Sequence, residues 1–110
     1  MQKSSLAELT VRHLEKARGS SSGRSAETVV GGHTHILRQT LVALRAGEAL
    51  DEHENPGEAT VHVLTGRVRL AAGDTSCEGG TGDLLTVPDA RHSLTAIEDT
   101  AVLLTVAKLE

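Results

Sequence analysis

Apolar residues recur along this chain with two different periods, and the change falls near residue 26. Before it, Leu6, Leu9, His13 or Leu14, and Ala17 share one face at helical spacing, and Ser5 with Glu8 has the capping-box separation that satisfies orphan amides. The pattern predicts a short amphipathic helix over 5–17. Gly19-Ser20-Ser21-Ser22-Gly23 follows as a helix stop and flexible connector. Residues 1–25 are therefore expected to form a helix and a tether, with the helix docked loosely or on a neighbour.

From Ala26 onward the chain becomes short runs rich in Val, Leu and Thr, punctuated by glycine-containing turns. This spacing predicts strands at 27–30, 36–44, 49–52, 60–64, 68–71, 75–78, 84–87, 92–97 and 101–107, the signature of a sandwich or barrel over 26–110. Alternation within 60–64 sends Val61 and Val63 to one face and Thr60, His62 and Leu64 to the other. Ala59 shares the face of Val61. Arg38 and Gln39 fall on opposite faces of one long strand, so one of them looks inward.

Composition narrows the chemistry. A chain of 110 residues with 38% hydrophobic content fits one domain, expected to lean on a second copy. It contains no Phe, Tyr or Trp, so its core is aliphatic and no pocket can stack a flat ring on an aromatic face. A net charge of −4 supplies no basic stripe for nucleic acid. No apolar run approaches the roughly 20 residues that span a bilayer, and the first residues are too polar for a signal-peptide core, so the expected location is cytoplasmic, without membrane contact. Cys77, the single cysteine, has no cationic neighbour in sequence and reads as an unreactive thiol on a strand.

Two glycine-led blocks carry the remaining signal. The first runs from Gly47 through His53, Asn55, Glu58 and Ala59 to Gly66, and the second from Gly82 through Pro88 and Ala90 to His92. They resemble the paired motifs of the cupins, written G-x5-H-x-H-x3,4-E-x6-G and G-x5-P-x-G-x2-H-x3-N, over roughly residues 36–106. The resemblance implies an all-β fold, a double-stranded jelly-roll β-barrel with a short N-terminal α-helix. It also implies a homodimer.

Metal-dependent cupins hold a divalent ion with three histidines and a glutamate. His53 and His92, the latter one residue early, stand at two of those positions. Asn55 stands for another histidine and Ala59 for the glutamate, while Ala90 replaces a glycine and Ala96 the asparagine. Catalytic zinc takes three protein ligands, and non-haem iron takes two histidines and a carboxylate. A site built from His53 and His92 thus needs a third donor, which would be Glu58, turned inward by Pro56-Gly57, or Glu54, which alternation turns away from His53, or the weak carbonyl ligand Asn55; the ion would be iron, manganese, nickel or zinc.

The leading expectation is a small cupin that binds a compact polar or aliphatic ligand in the barrel, with at most a weak or incomplete metal site. Arg38, Gln39, Asn55 and Arg91 are the candidate ligand contacts, since an inward arginine can clamp a carboxylate. One alternative is a metal-dependent dioxygenase or isomerase using His53, His92 and a carboxylate, and another is a non-catalytic homodimeric regulatory module. His33 and His35 could chelate but follow Gly31-Gly32, which favours a solvated turn. His13 and His62 are assigned no chemistry.

Overall fold

The computed structural model describes residues 1–54 and 57–108, with His53 described by its backbone. One helix, α1 (Leu6–Gly19), precedes nine strands: β1 (Arg24–Val30), β2 (Leu37–Leu44), β3 (Ala49–His53), β4 (Gly57–Thr65), β5 (Arg67–Ala72), β6 (Thr75–Gly80), β7 (Leu84–Thr86), β8 (His92–Ala96) and β9 (Thr100–Lys108). They form two antiparallel sheets, one in the order β1-β2-β9-β4-β7 and one in the order β3-β8-β5-β6. This is the expected jelly-roll barrel with its N-terminal helix.

The expected alternation decides what fills the barrel. Val42 of β2, Val102 of β9 and Val63 of β4 lie side by side across the five-stranded sheet, as do Leu104, Val61 and Leu85 across β9, β4 and β7. These inner rows meet Val68, Leu70, Leu94 and Ala96 of the other sheet in one aliphatic cluster. Close packing of branched aliphatic side chains substitutes here for the aromatic residues the chain lacks.

Several strands are longer than local sequence suggests, because pairing recruits residues of weak propensity. β4 begins at Gly57 rather than residue 60, since Gly57, Glu58 and Ala59 find partners in Lys108, Ala107 and Val106 of β9. Likewise β1 begins at Arg24, where Arg24, Ser25 and Ala26 pair with Leu44, Ala43 and Val42.

The helix docks on its own chain rather than loosely or on a neighbour. Ser5 Oγ accepts from the Glu8 amide at 3.2 Å, the predicted cap. The buried face of α1 comprises Leu9, His13, Leu14 and Ala17, with Leu14 and Ala17 packed on Ala43 of β2 and Ala101 of β9. Small side chains on the strands let the helix come close. At its C-terminal end Arg18 Nε donates to Asp99 Oδ2 at 2.7 Å, while Asp99 Oδ1 accepts from the Ala46 amide at 2.8 Å. The segment expected as a flexible connector is a bonded turn: the Gly23 amide donates to Ser20 O at 3.2 Å, and Gly23 O accepts from the Arg45 amide at 2.8 Å.

Candidate functional site

Burial along the inner faces distinguishes the two ends of the barrel. On β4 the inward positions pass from Ala59, half-buried, to Val61 at 2% and Val63 at 0% exposure. β2 shows the same gradient from Arg38 and Thr40, half-buried, to Leu44 at 0%, and β9 runs from Val106 and Leu104 to Val102. One end is sealed and the other is open. Register places Arg38, Val106 and Ala59 in one row at the open end. The Val87 amide donates to Ala59 O at 2.9 Å, which holds the chain leading to His92 at the same end.

His92 is 5% exposed and shares its strand face with Leu94 and Ala96, so it looks into the barrel. Its Nδ1 lies 2.9 Å from Ala90 O. A carbonyl only accepts, so Nδ1 carries the hydrogen in this contact.

A β-bulge brings His53 to this histidine. Leu50 pairs with Leu94 and His53 with His92, three residues of β3 spanning the same distance as two of β8. Without the extra residue Glu52 would stand opposite His92 and His53 would fall out of register. The two motif histidines are thus ladder partners in the backbone.

The other predicted site residues are dispersed. Arg38 takes the inner face, in the row of Val106 and Ala59. Gln39, expected as a ligand contact, takes the outer face, where its Nε2 donates to Thr105 Oγ1 at 3.1 Å. Arg91 sits on the rim, its Nε donating to Glu52 Oε1 at 3.2 Å and a terminal nitrogen to Glu52 O at 3.5 Å, so its counter-charge is Glu52. Asn55 lies outside the described residues.

Glu58 corrects the expected ligand set. Because Ala59, Val61 and Val63 point inward, Glu58 belongs to the opposite face with Thr60, and it is exposed. It lines a groove of about 610 Å³ at the start of β4, which Gly57, Ala59, Thr60, Thr86 and Val87 also border. β4 pairing already includes Gly57, and alternation then dictates the outward direction of residue 58. Among the described residues no three His, Cys, Asp or Glu side chains gather to hold a metal. With alanine at position 59 and Glu58 outside, the described donors do not fit the three-ligand sites of zinc or iron.

The remaining histidines divide as follows. His33 and His35 are exposed in a turn closed by His35 N donating to Gly32 O at 3.1 Å, and His62 is half-buried on the outer face. His13 is the one that sequence reasoning underestimated. It is 3% exposed, with Nδ1 2.7 Å from Ser25 Oγ and Nε2 2.9 Å from Glu27 Oε1. The hydrogen bond from His13 holds the Glu27 carboxyl below its ordinary pKa. Its place on the apolar helix face was the available signal; its partners lie on a strand that only folding brings near.

No protein-family profile and no curated protein matches the chain. Solved structures do. A conserved protein of unknown function from Streptococcus pyogenes superposes with a TM-score of 0.74 at 26% identity, covering 83% of this chain and 79% of that one. An RmlC-like cupin protein from Desulfovibrio desulfuricans gives 0.67 at 26% identity, covering 76% and 81%. A cupin superfamily protein from Desulfitobacterium hafniense gives 0.71 at 17% identity, covering 78% of each. Two antiparallel sheets around an aliphatic core, with the motif histidines paired in the backbone at one end, give this chain the fold of these cupin proteins.

Proposed function

We propose that this protein binds a compact ligand, part polar and part aliphatic, at the open end of its barrel. The observation that carries this reading is the burial gradient on β2, β4 and β9: their inward side chains are buried at one end and half-buried at the other, the end where His92, itself buried, lies. Leu50, Ala59 and Leu104 are the partly buried apolar residues that border the core there. Alanine at position 59 leaves space that a longer side chain would take. His92 supplies the directional polar group, its ring oriented by the 2.9 Å contact of Nδ1 with Ala90 O.

Ligand-observed NMR with n-hexanol tests the proposal. Saturation transfer to hexanol is expected in the wild type, weaker transfer in His92→Ala, and none in Ala59→Leu, which fills the open end. Absence of transfer in the wild type, or equal transfer in Ala59→Leu, overturns it. Both variants are checked for wild-type circular dichroism.

A further inference from the structure

Arg38 differs from most of the arginines of this chain. Arg18, Arg24, Arg45, Arg67, Arg69 and Arg91 each pair with a carboxylate, and all six pairs lie on the surface. Arg38 is half-buried and projects from the inner face of β2, beside Val106 and in the row of Ala59. Among the described residues no carboxylate lies within ion-pair distance of it. The nearest strand carboxylate by register, Glu58, sits on the far side of the sheet.

A guanidinium cannot shed its charge by deprotonation, so partial burial without a counter-ion is unfavourable unless something anionic completes it. Its planar fork of donors matches a carboxylate in two parallel hydrogen bonds. Its inward neighbours on the same sheet are Val106 and Ala59 in its own row and Thr40 and Leu104 in the next, aliphatic except for one hydroxyl. Nothing there can stack on a ring, because the chain has no aromatic residue.

We infer that Arg38 is the anchor for a carboxylate, and that the ligand of the open end is a small aliphatic monocarboxylic acid. The inference rests on the ligand-binding reading above and adds the charge and class of the ligand. The carboxylate takes the guanidinium fork of Arg38, and the hydrocarbon tail lies along Leu104 and Val106 in place of water.

Three six-carbon probes, hexanoate, n-hexanol and n-hexylammonium, separate the possibilities by titration at constant ionic strength. Wild type is expected to bind hexanoate at least about tenfold more tightly than hexanol, and hexylammonium most weakly. Arg38→Gln should bring hexanoate down to the level of hexanol without weakening hexanol. Arg38→Lys should keep part of the preference, having charge without the fork. Arg24→Gln, which removes an exposed paired arginine, should change nothing. Equal binding of hexanoate and hexanol to the wild type, or a preference that survives Arg38→Gln, overturns the anchor while leaving the pocket. Failure of all three probes to bind overturns the pocket as well. Circular dichroism on Arg38→Gln separates loss of the anchor from loss of the fold; should it unfold, the wild-type order of the three probes alone decides.

Discussion

His13 Nε2 lies 2.9 Å from Glu27 Oε1, which ties the buried face of the N-terminal helix to the edge strand of the five-stranded sheet. Ser25 Oγ, 2.7 Å from Nδ1, completes the arrangement. Both ring nitrogens are therefore satisfied inside an interface otherwise made of Leu14, Ala17, Ala43 and Ala101.

Removing the imidazole leaves a cavity and strips both partners of their contact. His13→Ala is expected to lower stability by about 1–3 kcal/mol, read from urea unfolding, with the helix losing amide-exchange protection before the barrel does. Equal loss of protection in helix and barrel would show that the two unfold as one unit.

Acid should loosen the same helix at two points. The hydrogen bond from His13 lowers the Glu27 pKa from 4.5, and the hydrogen bond from Arg18, followed by that from the Ala46 amide, lowers that of Asp99 from 3.8. A carboxyl that ionises more readily in the folded state stabilises it above the unfolded pKa. That contribution is lost as pH falls through the lower folded value. Urea midpoints are expected to hold near neutral pH and decline below about pH 4.5, and Glu27→Gln with Asp99→Asn should flatten the decline. A double variant with the wild-type slope would assign the acid sensitivity to other groups.

Ala59 occupies the inward position where the cupin motif has a glutamate. Ala59→Glu places a carboxylate on the inner face at the end where His92 lies, the direction Glu58 cannot take. Affinity for zinc or nickel is expected to rise at least about tenfold over the wild type by calorimetric titration. Without metal the variant should be less stable by about 1–3 kcal/mol, since the new carboxylate is partly buried. Unchanged affinity would mean that the backbone pairing of His53 and His92 does not assemble a metal site even with a carboxylate supplied.

Gly66 closes the first motif at φ +101°, a conformation that side chains avoid. A Cβ there would also press on Thr100 Oγ1 and the Asp99 carbonyl, and Thr100 Oγ1 itself accepts from the Arg67 amide at 3.0 Å. Gly66→Ala is expected to cost more than about 2 kcal/mol, seen as a lowered denaturation midpoint, whereas Gly73→Ala, with open space around it, should cost less.

Much of this protein was legible from local patterning. Alternation in β4 identified Ala59, Val61 and Val63 as one face, and helical spacing with the Ser5 cap identified α1, because both are consequences of backbone period that need no knowledge of the rest of the chain. The motif glycines and histidines indicated the barrel. What tertiary structure alone decided was register and direction. Gly57 joined β4 because β9 offered it a partner, and that pairing sent Glu58 outward, away from the ligand role its spacing suggested. One extra residue in β3 set His53 opposite His92, and a bulge is a property of two strands together. His13 found Ser25 and Glu27 across a turn that closed only when the helix docked, since hydrogen bonds depend on distance in space, which sequence separation does not specify.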